Sequence, residues 1–341
     1  MLEYKYQQLE EEEKHLLSCI SLFDNQQIDI RNIFTFFKDE EEGDVYFFDM
    51  LHDLSLCGWL QYEKGKYNIN PETNAIIKKE NPPNTDNCFK ILKHLSDSFF
   101  YNKDNLEKNK IYAPFVEKIF ENIKGESDLL ALLANDYSDY LRQINKVEKS
   151  KKYAEKAVEI QQKINDKHPQ LGFYYNRLAS VYMEKGELNK TLIYGFKSIK
   201  LSQEIPFQNN FNIVSSYNII STAFDRLKKH KMSITYGLKA IELVESNYNN
   251  EKIILSNLYH DLSISYFKTR DYWNASRSIN LAIENYKHKK QNKDEHIKEM
   301  EVFQKGISAM EKFKKIRTKY LKYIILGAGV GITTLAYFLF F

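Results

Sequence analysis

The sequence predicts an all-α fold. A stack of helix pairs follows a small N-terminal domain of three helices and a β-hairpin, and a single transmembrane helix closes the chain. Three observations predict this. The 341 residues include only 12 Gly and 6 Pro, and so few breakers favour long helices over turn-rich β structure. The middle of the chain repeats itself every 41 or 42 residues. The stretch from Tyr323 to Phe341 carries no charge.

The N-terminal domain is assigned to residues 1–80. It holds 8 Lys/Arg against 17 Asp/Glu, a net of −9, so with the whole chain at +3 the remainder carries +12. Met1–Lys14 is acidic and polar, unlike a secretory leader. An apolar stripe of Leu16, Leu17, Ile20 and Phe23 predicts a helix over 10–23. Ile28–Phe37 reads as a second helix. Asp44–Leu56 reads as a third, with Phe47, Phe48, Leu51 and Leu54 on its apolar side. Gly58–Tyr62, the Gly-containing turn Glu63–Lys66 and Tyr67–Ile69 then predict strand, turn and strand. Three helices and a hairpin resemble the winged-helix arrangement. Its would-be recognition helix carries Asp44, Asp49 and Asp53, follows Asp39–Glu42 and has no Lys or Arg. Phosphate binding needs cations that release counterions, so nucleic acid is not expected as a partner.

Residues 81–126 read as a linker with a degenerate first repeat, its helices at Cys88–Tyr101 and Ile111–Ile123. Four units fill 127–292. In each, a large residue and a small one precede another large one: Tyr137/Ser138/Leu141, Leu178/Ala179/Tyr182, Ile220/Ser221/Phe224 and Leu262/Ser263/Tyr266. A small residue closes each second helix: Ala157, Ser198, Ala240 and Ala282, spaced by 41, 42 and 42. The small residue lets two helices approach, and the large ones fill the groove between them. One pair cannot bury its apolar face, so neighbours must stack.

These units resemble the tetratricopeptide repeat (TPR), in the long variety of kinesin light chains and many bacterial regulators. The resemblance implies an α-α superhelix that holds a protein or peptide on a concave face lined by the first helix of each pair. Three residues before each small residue stand Asn135, Asn176, Asn218 and His260. Asn amides can hydrogen-bond both N–H and C=O of an extended peptide. Arg142, Arg226 and Lys268 on the same faces could meet acidic groups of a ligand.

EEEKHLLSCISLF, the hairpin GWLQYEKGKYNINPET and the tandem repeats together resemble the C-terminal half of STAND-type signalling NTPases, over roughly residues 8–290. There the winged helix implies a packing surface rather than a DNA reader. The NTPase itself is missing, since no GxxxxGK[ST] occurs. The resemblance therefore implies either a separate NTPase partner or a stand-alone adaptor.

A capping helix with a basic stretch is assigned to 293–322, with Lys312, Lys314, Lys315, Arg317, Lys319 and Lys322. Residues 323–341 would then span a membrane, since nineteen helical residues reach about 28 Å. The expected localisation is membrane-anchored, with the basic flank and the bulk of the chain cytoplasmic. Gly327 and Gly331 form a GxxxG through which two spans could pair as a homodimer.

No GxSxG, HExxH, GxGxxG or EF-hand loop is present, and the eight histidines are scattered. Cys19, Cys57 and Cys88 show no CxxC and read as reduced thiols. Neither a cofactor nor a metal is expected, and an enzyme is the least supported class. The leading reading is a membrane-tethered scaffold or adaptor. The alternatives are a sensor–effector of stress or phage defence acting through its span, and a membrane-bound transcription regulator.

Overall fold

A computed structural model describes residues 2–24, 27–37, 44–101, 106–205, 211–248, 251–287 and 295–325. The chain divides into two compact units, Met1–Lys185 and Gly186–Phe341.

The first unit opens with α1 (Leu2–Gln7) and α2 (Glu11–Ser21). Glu13 reaches back to accept the Glu10 N–H at 2.8 Å, which fixes the start of α2. Leu16, Leu17, Ile20 and Phe23 are all buried. Next come β1 (Ile28–Asp29), α3 (Ile30–Phe37), α4 (Asp44–Leu56), β2 (Gln61–Glu63), β3 (Lys66–Asn68) and α5 (Pro71–Glu80). The strands form an antiparallel sheet in the order β1-β3-β2, with Ile28 opposite Tyr67. The helix expected from Ile28 starts two residues later, because Ile28 and Asp29 pair with β3 instead. Lys64 and Gly65 both have positive φ, 51° and 81°, as a two-residue hairpin turn between right-twisted strands requires. On α4, Leu51 and Leu54 are fully buried but Phe48 is exposed, so the apolar side is narrower than expected.

Beyond the hairpin lie α6 (Phe89–Tyr101) and α7 (Leu106–Asn122). The Asp24 carboxylate ties α5 and α7 to the end of α2: it accepts from Asn74, from Lys78 and from Asn122 Nδ2 at 3.0 Å. Desolvation would raise the Asp24 pKa, but these donors win and hold it below the usual value. The unit ends with α8 (Asp128–Gln143), α9 (Val147–Ile164) and α10 (Pro169–Glu184). Ser138 and Ser150 exchange hydroxyl-to-carbonyl bonds of 2.9 and 2.8 Å, which pin α8 to α9 where both backbones come close.

The second unit contains α11 (Leu188–Glu204), α12 (Phe211–Arg226), α13 (His230–Asn247), α14 (Lys252–Lys268), α15 (Tyr272–Lys287) and α16 (Glu295–Ile325). Val214, Ala240, Ile241, Val244, Leu255, Leu258 and Leu262 form the core of α12, α13 and α14. Ala275, Ile279, Ala282, Met300 and Ile307 form that of α15 and α16. Left-handed backbone recurs at Asn145, Gly186, Lys228 and Arg270, at the interval of the repeat.

Gly195 and Gly237 hold equivalent positions, but their surroundings differ. A Cβ on Gly195 would lie 2.8 Å from Ile220 Cγ1, whereas the nearest atom to one on Gly237 is Ser221 Oγ at 3.4 Å. Alanine gains about 0.8–1 kcal/mol over glycine in a helix. Gly237→Ala should therefore leave stability unchanged or raise it. Gly195→Ala should lower it, because overpacking costs about 1–3 kcal/mol. Urea unfolding of both variants checks this, and equal midpoints would refute it.

The expected C-terminal transmembrane helix, and the membrane localisation drawn from it, require correction. Among the described residues no helix is long and apolar enough to cross a membrane. The 31-residue α16 instead packs Met300 and Ile307 against α15 and carries charge along its exposed length, with Lys312, Lys314, Lys315, Arg317 and Lys319 in its last third. It includes only Tyr323–Ile325 of the apolar stretch. Residues 326–341, with Gly327 and Gly331, lie outside the described residues.

Candidate functional site

Each unit positions the residues of interest on its own helices. In the first unit, Asn135 is 0 % and Asn176 5 % exposed. Helix α8 is buried continuously from Leu133 to Leu141, packed by α6 and α9. Asn135 Nδ2 donates to Asp136 Oδ1 at 3.0 Å. Arg142 donates to Asp139 Oδ1 at 3.0 Å and to Glu184 Oε1 at 2.8 Å, and Arg177 also donates to Asp139. This cluster holds α8 and α10 together and offers a ligand little open surface.

The second unit differs. Asn218 on α12 and His260 on α14 are half-buried, while Arg226 and Lys268 are exposed. Lys268 is paired with Asp225, one repeat earlier, and His230 Nδ1 meets the same carboxylate at 2.9 Å. The His260 ring packs edge-on to His296 and Phe303 of α16, at 5.6 and 6.3 Å. Desolvation first, then the charge of His296, pushes the His260 pKa down.

Ile253, Asn257, Asp261 and Lys268 are the exposed residues of α14 within the helix and lie along one face. Asp261 does not stand out from the repeat register, since of its equivalents Asp136, Arg177 and Ile219 only Asp136 is acidic. Among the described residues no hydrogen bond or ion pair engages its carboxylate. It reaches water but is crowded by protein. Desolvation, reinforced by the charge of Asp225 and opposed by His296, raises its pKa from 3.8 to about 6.

A raised folded pKa means that the native state binds this proton more tightly than the unfolded chain does. Ionised Asp261 therefore costs stability above pH 6, and that cost fades as pH falls from 6 to below 3.8. Asp261→Asn should accordingly raise the melting temperature at pH 7.5. The gain should be below about 1 kcal/mol after solvent screening and should vanish near pH 3.5. A loss of stability at pH 7.5 would refute the assignment.

A groove of about 550 Å³ lies between Asp271–Trp273 and Glu311–Lys319. Its Lys314 Nζ donates to the Arg270 carbonyl at 3.1 Å, and Lys315 pairs with Glu311 at 2.9 Å, so part of its charge is compensated internally. Cys19 and Cys88 are buried with their Sγ atoms 3.5 Å apart, and all three cysteines carry free thiols. Among the described residues no three His, Cys, Asp or Glu side chains gather into a metal site.

Paired helices at a 42-residue interval, small residues at their crossings and an open face on the first helix of a pair define an all-α, TPR-like helical-repeat protein. Among solved structures the chain resembles RapI in its apo form, with a TM-score of 0.54 and 13 % identity over 74 % of this chain and 70 % of that one. It also resembles BtubC from P. vanneervenii, with a TM-score of 0.50 and 14 % identity over 70 % of this chain and 94 % of that one. At these identities the likeness extends to the fold. Among curated proteins, 192 residues are 26 % identical to a clustered mitochondria protein homolog of Lodderomyces elongisporus. That match covers 54 % of this chain and spans 12 % of the relative's length. No protein-family model matches the sequence.

Proposed function

We propose that the protein is an interaction scaffold that takes up an extended segment of a partner protein along the first-helix face of α12 and α14. The observation that carries this reading is the open stripe of Asn257, Asp261 and Lys268 on α14, with Asn218 half-buried on α12. Asn amides can bond a peptide backbone whatever its side chains, and charged neighbours add selectivity. Asn135 and Asn176 belong to the site assigned from the repeat register, but burial leaves them a smaller part in it than Asn218.

The N-terminal domain supports the same interaction role. Its helix, strand, helix, helix, strand, strand order and β1-β3-β2 pairing favour a winged-helix reading. Exposed Asp49 and Asp53 on α4, a helix without Lys or Arg, favour a protein-packing surface over a DNA-binding one.

The test is a peptide array of varied ten-residue sequences probed with the full chain, followed by fluorescence anisotropy of the strongest binder. Asn218→Ala with Asn257→Ala should weaken that binder about tenfold, the loss of one or two hydrogen bonds. An array without signal, or a binder indifferent to both substitutions, would refute the proposal.

A further inference from the structure

We infer that the segment bound on the α12–α14 face is basic, and that it sets a lysine or arginine side chain against Asp261. This rests on the reading above and specifies its ligand. Sequence alone pointed to the opposite charge, through Arg142, Arg226 and Lys268. Arg142 and Lys268 are already committed. Arg142 is held between Asp139 and Glu184, and Lys268 by Asp225. An acidic ligand would have to break these pairs.

Asp261 stands in the opposite condition. It occupies the middle of the open α14 stripe, four residues from Asn257 and so on the same side of the helix. Among the described residues the charges that act on it are those of Asp225 on α12 and His296 on α16. Lys268 faces Asp225 rather than Asp261. The carboxylate therefore reaches solvent without a hydrogen bond or ion pair among the described residues, and His296 offsets only part of the desolvation and of the Asp225 charge, so its ionised form is unfavourable in the unliganded state. A ligand cation would relieve that cost, whereas a ligand carboxylate would add to it. Ile253, exposed two turns before Asp261, offers an apolar surface to the stem of a long basic side chain.

The whole chain carries +3, so diffuse attraction favours acidic ligands. A preference for basic ones would have to come from a local site.

The experiment takes the neutral peptide that binds best and prepares three versions differing at one central position: Lys, Ser and Glu. Each is titrated by fluorescence anisotropy against the full chain and against Asp261→Asn. We expect the order Lys, Ser, Glu, with about tenfold between Lys and Ser, and the Lys-to-Ser affinity ratio to fall to about one in Asp261→Asn, each ratio being taken within the same protein so that any change in Ser-peptide binding cancels. Circular dichroism confirms the fold of the variant. If the Ser peptide binds but Lys adds nothing at that position, or Glu binds best, the inference fails and the scaffold reading stands. If no peptide binds at all, both fall.

Discussion

Replacing Asp139 by alanine is expected to lower the unfolding free energy by about 3–5 kcal/mol, the range for breaking a buried ion pair from one side. The Asp139 side chain is 7 % exposed and that of Arg177 12 %. Asp139 accepts from Arg177 on α10 and from Arg142 on its own helix. Its removal leaves Arg177 with its charge still buried. Arg142 suffers less, because Glu184 continues to hold it at 2.8 Å. Asp139→Asn keeps an acceptor and should cost less than alanine. Replacing Asp139 with leucine and Arg177 with methionine together should recover much of the loss, since an apolar pair of similar volume carries no desolvation penalty. Urea unfolding of the full chain, followed by circular dichroism, measures all three. A cost below about 1 kcal/mol for Asp139→Ala would place the cluster among surface ion pairs and refute its structural role.

These ion pairs bear on what the sequence could reveal. The repeat was legible because it depends on residue size: Ser138, Ala179, Ser221 and Ser263 are buried, as are all four closing residues. The stripe of α2 was legible for the same reason. Pairing was not legible. Arg142 meets Glu184 42 residues later, and Lys268 meets Asp225 43 residues earlier. Register identifies equivalent positions but not which neighbouring repeat neutralises them. The burial of Asn135 was hidden likewise, because it depends on how α6 and α9 cover α8. Strand β1 exists only through its non-local partner β3. Left-handed turns were hard to see, since only one of the four repeat-spaced positions uses glycine. At the C-terminus the apolar stretch predicts a span, whereas the helix that enters it is charged along its exposed side.

The second large effect is expected at Tyr137, where four helices meet. The residue is 1 % exposed. Its ring lies 5.5 Å from Phe99 on α6 and 4.8 Å from Tyr153 on α9, both edge-on. Its hydroxyl donates to Glu117 Oε1 on α7 at 3.0 Å. Tyr137→Ala removes the ring and should cost about 3–5 kcal/mol, as for other buried aromatics. Tyr137→Phe keeps the ring and removes one hydrogen bond to a charged group, about 1.5–3 kcal/mol in a fully buried site. Glu117 is also held by Lys149 at 2.8 Å, so the smaller figure applies.

The two variants should also differ in pH dependence. Desolvation would raise the Glu117 pKa, but Lys149 and then Tyr137 outweigh it and hold it below 4.5. The stability from this carboxylate is therefore complete above pH 4.5 and lost as pH falls through the lower folded value. The cost of Tyr137→Phe should shrink across that acidic window, because a protonated Glu117 gains less from the hydroxyl. Most of the cost of Tyr137→Ala should persist there, because a missing ring does not titrate. Unfolding curves at pH 7 and near pH 3.5 separate the two. Parallel pH profiles would mean that the hydroxyl contributes nothing beyond the ring's packing.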